Sequence, residues 1–98
     1  MSRRNLEKAL GADCGSRLAR RLDDLRAAGC LEDLRHLPGR CHELHGDRKG
    51  QLAIDVKHPH RLIFQPAHDD VPRHEDGGLD WTNITAIRVI EITDYHHG

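Results

Sequence analysis

The chain has 98 residues, 32% of them charged, with a formal net charge of −1 at pH 7 and a mean hydropathy of −0.70. This length predicts one domain, spanning residues 1–98, with a modest core. No apolar run approaches the ~20 residues of a membrane-spanning helix. The N-terminus has no apolar segment of the signal-peptide type, so we expect a cytoplasmic protein.

The cysteine and histidine content limits which covalent cross-links and which charged groups the chain can form. The three cysteines are an odd number without a CxxC spacing, which favours reduced thiols over a disulfide framework. Two of them, Cys14 and Cys30, are expected to pack as small apolar side chains. The net charge of −1 counts the nine histidines as neutral. An imidazole readily gains positive charge beside a phosphate, so the low net charge does not rule out nucleic-acid binding.

Two helices are predicted in the N-terminal half. The first begins near Asn5 and ends at Gly11. The second runs from about Ser16 to Gly29, and its leucines at i, i+4 and i+7 form one apolar stripe. That stripe consists of Leu18, Leu22 and Leu25. Arginines beside the stripe are expected on an exposed helix face: Arg17, Arg20 and Arg21.

The chain after the second helix changes to a β pattern. Leucines spaced by three predict a short helical turn before Pro38-Gly39. Four strands are then predicted, at about 40–45, 51–57, 61–65 and 84–93. The second alternates with Leu52, Ile54 and Val56 on one face, and the third is apolar on both faces and therefore central. The fold class is α+β, with two N-terminal helices packed on an antiparallel sheet of about four strands.

The connections between these strands differ in length. A tight turn bounded by Gly46 and Gly50 joins the first two strands. Residues 67–83 have no period and predict a long loop, with Trp81 pinning it to the body. In a simple meander, successive strands run in opposite directions. Residues that are far apart in sequence therefore gather at the same end of the sheet.

Four short motifs occur in order along the chain: Leu37–Arg40, Gly46–Gln51, His60–Phe64 and Glu91–His96. Together they resemble the HigB branch of the RelE/ParE toxins of bacterial toxin–antitoxin systems, over residues 25–97. Members of this branch, also called plasmid maintenance system killer proteins, usually begin with a strand before the first helix. This chain has no room for that strand, and its loss is expected to expose a sheet edge unless an antitoxin or a second copy covers it.

The resemblance implies an enzyme, a ribosome-dependent endoribonuclease (an mRNA interferase) that cleaves mRNA in the ribosomal A site. It implies no cofactor. The implied partners are the ribosome, mRNA and a HigA-like helix-turn-helix antitoxin, in a homo-oligomer or a toxin–antitoxin heterotetramer. No membrane partner is expected.

Metal-free RNA cleavage needs a base, an acid and a cation on the phosphate. By resemblance, His42 and His96 serve in acid–base work, Arg61 stabilises the phosphate, and Tyr95 stacks on a base or holds the phosphate. The meander is expected to gather these catalytic residues at one end of the sheet. The resemblance also assigns His45 a role in general acid–base catalysis. An ideal strand, however, points His45 away from His42, so we expect it to position RNA instead. The predicted RNA-binding set is His45, Arg48, Lys49 and Lys57.

Other interpretations of these residues stay open. Any one histidine, and the cationic turn, can simply be solvated surface. Neither Cys41 with His42 and His45, nor His58 with His60, gives a four-ligand metal pattern. For the whole protein, the alternatives are a non-catalytic toxin-like binding module that pairs with an antitoxin, and a ParE-like inhibitor of DNA gyrase. The near-neutral charge and the missing first strand favour the binding module.

Overall fold

The computed structural model describes residues 11–94, which form an α+β arrangement of one α-helix and a four-stranded antiparallel sheet. The helix is α1, Ala12–Ala27, and the strands are β1, His42–Glu43; β2, Leu52–Asp55; β3, His60–Pro66; and β4, Ile87–Asp94. Sheet order follows chain order, so the predicted meander is confirmed. The helix predicted from Asn5 lies outside the described residues except for its last position.

Helix α1 is displaced toward the N-terminus relative to the prediction. Gly11 accepts the first helical hydrogen bond, from Gly15 N at 2.9 Å, so the helix begins four residues before the predicted Ser16. Its end is also earlier, because Ala28 is already extended with φ −68° and ψ 136°. The Asp33 carboxylate accepts hydrogen bonds from the next two backbone N–H groups, which fixes this exit. Gly29 directly follows the C-cap residue Ala28, so the predicted stop signal lies within two residues of the observed end.

The core lies between α1 and one face of the sheet. Leu18 is fully buried there, and the other two leucines of the predicted stripe pack against the same cluster. The sheet contributes its alternating apolar positions: Leu52, Ile54, Val56, Leu62 and Phe64. The opposite face, called the second face below, carries Asp55 and Arg61. The predicted alternation of β2 is confirmed, although Ala53 on the second face is buried as well.

Three strands are shorter than predicted, and β2 spans only Leu52–Asp55 of the predicted 51–57. Strand β1 has only two residues, because Gly39 and Arg40 both have positive φ (112° and 50°) and delay the extended conformation. Strand β4 begins at Ile87 rather than at residue 84. The cause is a 3₁₀ turn at Trp81–Asn83 that directs Ile84 into the core.

A β-bulge in β4 changes which side chains share a face. Val89 pairs with Phe64, and Glu91 pairs with the preceding β3 residue, so Ile90 is the extra residue. Residues directly opposite each other share a face, so Val89 and Ile92 are both on the core side. A strict alternation along β4 would put these two residues on opposite faces, so the bulge is what brings them together.

The long loop before β4 is folded onto the core, as the Trp81 prediction expected. Trp81 is buried, its Nε1 donates to Oε2 of Glu43 at 3.0 Å, and the Arg35 guanidinium lies 4.2 Å from its ring centroid. An isolated bridge between Arg73 and Leu79 closes the middle of the loop. Across residues 11–94, no helix combines the length and apolar character needed to cross a membrane.

Candidate functional site

A cleft of about 280 Å³ opens beside the turn that joins β2 to β3. Its walls combine cations, imidazoles and one carboxylate: Arg40, Asp55, His58, Pro59, His60 and Arg61. The hairpin register creates this grouping, because Asp55 pairs directly with Arg61 and the intervening residues form the turn. Directly opposed residues point to the same face, so the carboxylate and the guanidinium meet on the second face.

Asp55 is the hub of the cleft. Its Oδ2 accepts a hydrogen bond from Arg40 Nε at 2.8 Å and lies 2.7 Å from Arg40 Nη2. Its Oδ1 lies 3.0 Å from Nε of Arg61. The Arg61 side chain is only 14% exposed, whereas that of Arg40 is 75% exposed. One carboxylate therefore holds a recessed guanidinium and an accessible one on the same wall.

A third arginine supports the hub from the helix side. Arg21 Nε donates to the backbone oxygen of Asp55 at 3.3 Å, and its Nη1 pairs with Asp24 at 3.0 Å. Its side chain is 11% exposed, so the expectation that Arg21 belongs to an exposed helix face is wrong. Arg17 and Arg20 are exposed as predicted. The difference arises because Arg21 reaches past the apolar stripe toward the end of β2.

Gly39 lets the chain pass close to this end of the sheet. Its carbonyl accepts a hydrogen bond from Asp55 N at 2.7 Å. An added Cβ would lie 2.7 Å from Ile54 Cγ1 and 3.1 Å from Arg21 Nε, at a φ of +112°. The glycine thus permits both the conformation and the close approach that place the next residue, Arg40, over Asp55.

We expect Gly39→Ala to lower the free energy of unfolding by about 2–3 kcal/mol, because overpacking and a strained φ act together. Chemical denaturation measures this loss. Gly46→Ala is the matched control, since Gly46 also has positive φ but no atom within 4 Å of the added Cβ. It should cost only about 1 kcal/mol. Equal losses in the two variants would contradict a steric role for Gly39.

His42 belongs to the same wall of the sheet. It pairs with Ala53, two residues before Asp55 on the same face. Its Nδ1 lies 2.7 Å from the carbonyl oxygen of Arg40. Because a carbonyl only accepts, Nδ1 carries the proton and Nε2 is left to exchange one. His42 and Arg61 are two strands apart, so their Cα atoms are separated by about 12 Å at usual sheet spacings.

The other predicted catalytic residues, Tyr95 and His96, lie outside the described residues. The last described residue, Asp94, pairs with His60 at the end of the sheet that carries the cleft.

Three of the predicted RNA-binding residues lie at the opposite end of the sheet. His45 and Lys49 are exposed on the β1–β2 connection, which strand β2 separates from Asp55 by about 13 Å at the usual rise per strand residue. Arg48, in the same connection, is held by two hydrogen bonds. They run to Gln51 Oε1 at 2.9 Å and to Glu91 Oε2 at 3.1 Å. The structure therefore separates this set from the cleft.

The Arg48–Glu91 pair gives a stability prediction. We expect a double-mutant cycle with alanine at both positions to yield a coupling of about 0.5–1 kcal/mol, because the two side chains are only partly exposed. Chemical denaturation of the four proteins measures it. The Asp23–Arg26 pair is the control, since it is 3.9 Å apart and more than three-quarters exposed on both sides. A coupling no larger than that of the control pair would refute the prediction.

Lys57, the fourth predicted RNA-binding residue, is next to the cleft in sequence but turns to the helix. Its Nζ pairs with the Asp13 carboxylate at the start of α1. The hydrogen bond from Lys57 lowers the pKa of Asp13. In this structure the lysine links α1 to the β2–β3 turn.

Cys41, beside His42, is not set up as a nucleophile. Burial raises the pKa of its thiol from 9.0 to about 12. The folded state thus keeps a proton that the unfolded chain releases, so this group favours folding below pH 9 and the benefit is lost as the pH rises from 9 toward 12.

At pH 9 we expect iodoacetamide to label Cys41 at least 100-fold more slowly in the native protein than in urea, because only the thiolate reacts. Peptide mass spectrometry of time points gives the rate. A native rate within tenfold of the unfolded rate would show that the thiol is not protonated as described.

Within residues 11–94, no group of three or more histidine, cysteine, aspartate or glutamate side chains is placed to hold a metal ion.

Sequence reasoning identified Arg61 but missed its surroundings. No role or partner is predicted for Asp55 from the sequence. A hairpin folded about His58 brings position 55 opposite position 61, so the register was available from the turn. Arg40 and His60 enter the sequence-based prediction only as members of motifs, and His60 also as a rejected metal ligand. The approach of Arg21 had no sequence signal.

Chemically, the cleft is suited to a singly charged oxyanion. Its guanidinium groups donate in a planar fork that matches phosphate geometry, and its imidazoles belong to the side-chain type that exchanges protons near neutral pH. No protein-family model matches the chain, and no curated protein matches it.

Proposed function

We propose that the protein is an endoribonuclease that binds an RNA phosphate in the cleft beside the β2–β3 turn. The observation that carries this proposal is the pairing of Arg40 and Arg61 on the single carboxylate of Asp55, with His58 and His60 alongside. Two guanidinium groups face one carboxylate, so positive charge remains for a ligand. Phosphoryl chemistry without a metal depends on such fixed cations.

Arg61 is the residue that stabilises the reacting phosphate. Its recessed position and its ion pair with Asp55 restrict its rotamers, so little freedom is lost when a ligand binds. Arg40 is far more exposed and can move onto an incoming phosphate without leaving the wall. The pair thus combines a fixed donor with a mobile one.

Acid–base chemistry falls to imidazoles near the arginines. His42 presents Nε2, because its Nδ1 proton is committed to the Arg40 carbonyl. His58 and His60 line the cleft itself and become candidates for the second proton transfer. Tyr95 and His96, which follow Asp94 in sequence, keep the roles that the resemblance implies for them.

At the finer level, we propose a HigB-type, RelE/ParE-like toxin that acts on mRNA in the ribosome and is neutralised by a helix-turn-helix antitoxin. Three of the four resembling motifs support it by their place in the fold. Leu37–Arg40 supplies Arg40, His60–Phe64 supplies Arg61, and Glu91–His96 begins in the strand that pairs with β3. The α+β arrangement of one helix on an antiparallel meander is compatible with this proposal.

Induced expression in a bacterium without the antitoxin tests the function. We expect growth arrest and new mRNA ends inside translated codons. Arrest without mRNA cleavage, accompanied by gyrase-dependent DNA breaks, would support the ParE-like alternative and refute the ribonuclease. Normal growth with soluble protein at a level that a known mRNA interferase needs for arrest would also refute it.

A non-catalytic binding module is the second candidate. The observation that favours it is the outer edge of β4, where Val89 and Ile90 are 45% and 38% exposed. No strand within residues 11–94 pairs with that edge, and open edges accept strands from partners. Co-expression with an antitoxin, followed by operator binding without any mRNA cleavage, would establish this candidate.

A further inference from the structure

A carboxylate on the wall of a phosphate cleft repels the ligand that the cleft is proposed to receive. Asp55 is in this position, because it lines the cleft and its side chain is 29% exposed. It touches both arginines that would hold the phosphate. Any anion that binds Arg40 and Arg61 therefore approaches the Asp55 carboxylate as well.

The carboxylate is fixed in place by its backbone. Asp55 N donates to the Gly39 carbonyl at 2.7 Å, and its own carbonyl accepts from Arg21 at 3.3 Å. The residue is also in the β2–β3 ladder opposite Arg61. With the main chain held on both sides, Asp55 stays at the cleft wall when a ligand enters.

The charges on the cleft wall set which anion fits. With its imidazoles uncharged, the wall carries two positive charges and one negative charge. A phosphodiester has one negative charge and balances this wall. A phosphate monoester has nearly two above its second pKa of about 6, and its additional charge meets Asp55.

We propose that Asp55 is a specificity-determining residue that shifts the preference of the cleft away from phosphate monoesters and toward phosphodiesters. The inference rests on the proposed function and deepens it by naming the residue that sets the specificity of the cleft. Internal RNA linkages are phosphodiesters, whereas free nucleotides and phosphorylated RNA ends are monoesters. The carboxylate thus weakens the occupation of the cleft by these abundant dianions.

The expected size of the effect follows from Coulomb's law. Two unit charges about 6 Å apart in a well-hydrated cleft change an equilibrium constant about threefold. Removing the Asp55 charge should therefore tighten a monoanion about threefold and a dianion about tenfold. The preference then shifts about threefold toward the monoester.

Isothermal titration calorimetry on the full chain tests this at pH 8, above the usual imidazole range, in low salt. The ligands are the 2′-deoxy form of UpU, which has no 2′-hydroxyl to react, and 2′-deoxyuridine 3′-monophosphate. The variants are Asp55→Asn and, as a control with the same change in net charge, Asp47→Asn. Asp47 is exposed on the β1–β2 connection, at the far end of the sheet.

The wild-type protein should bind both ligands, and its diester-to-monoester affinity ratio is the reference. Asp55→Asn should show the threefold shift toward the monoester, and Asp47→Asn should leave the ratio unchanged. Asp55→Glu keeps the charge and should retain the wild-type ratio, which tests the proposal from the other side if Asp55→Asn folds poorly. A circular-dichroism melt checks each variant.

Two outcomes overturn the inference in distinguishable ways. If Asp55→Asn weakens both ligands equally, or leaves their ratio unchanged, Asp55 only positions the arginines, and the proposed function stands. If the wild-type protein binds neither ligand, the cleft is no phosphate site, and the proposed function fails together with the inference.

Discussion

Under the proposed endoribonuclease function, Arg61→Ala is expected to slow the cleavage of mRNA on programmed ribosomes about 10²–10³-fold, the usual cost of removing one fixed donor from a developing charge. The residue is recessed, is held 3.0 Å from Asp55 Oδ1, and faces the cleft. Loss of its guanidinium removes the donor that needs least reorganisation. Single-turnover cleavage on purified ribosomes isolates the chemical step from binding and release.

Two further variants make the Arg61 result specific. Arg61→Lys should recover little activity, because an ammonium lacks the planar fork that meets two phosphate oxygens. Arg26→Ala is the matched control, since Arg26 is 82% exposed on α1 and its removal should leave the rate unchanged. If Arg61→Ala cleaved within threefold of the wild-type rate while remaining folded, the cleft would not be the catalytic site.

Trp81→Ala is expected to cause the largest loss of stability, about 3–5 kcal/mol. The buried indole joins the long loop to the core, donates to Glu43 and lies under the Arg35 guanidinium. Its removal leaves a cavity and an unsatisfied carboxylate at the same time. Since a domain of this size is stable by only about 5–15 kcal/mol, the variant should be close to unfolding.

Trp81→Phe separates the stability that comes from packing of the ring from the stability that comes from the hydrogen bond to Glu43. It keeps much of the apolar volume and should cost only about 1–2 kcal/mol. Urea denaturation followed by circular dichroism measures both variants, because Trp81 is the one tryptophan and fluorescence would change with it. A loss below 1 kcal/mol for Trp81→Ala would mean that the loop does not depend on this contact.

The parts of the fold that follow from periodicity were predictable. The leucine stripe of α1, the alternation of β2 and the central position of β3 each express a repeat that burial imposes on local sequence. The boundaries of the helix and the strands were not predictable, because they depend on groups that are distant in sequence. Helix α1 ends where Asp33 captures two N–H groups, and β4 begins where Ile84 is drawn into the core.

The same distinction between local pattern and tertiary contact applies to the residues of the candidate site. Arg61 was identified by resemblance, and its end of the sheet followed from the meander. Asp55 was missed because its importance comes from contacts with three arginines that are distant in sequence. The bulge at Ile90 was missed as well, since no glycine or proline marks it. Such features arise from tertiary packing and leave little local signal.

The most direct test of the central claim is to map where RNA touches the protein. Titration of ¹⁵N-labelled protein with a short, 2′-O-methylated single-stranded RNA, followed by NMR, reports side-chain and backbone shifts residue by residue. We predict saturable shifts of the Arg40 and Arg61 Nε–H signals and of the Asp55 and His58 amides. Shifts confined to Lys49 and its neighbours on the β1–β2 connection, or no shifts at all, would contradict the assignment of the cleft as the RNA phosphate site.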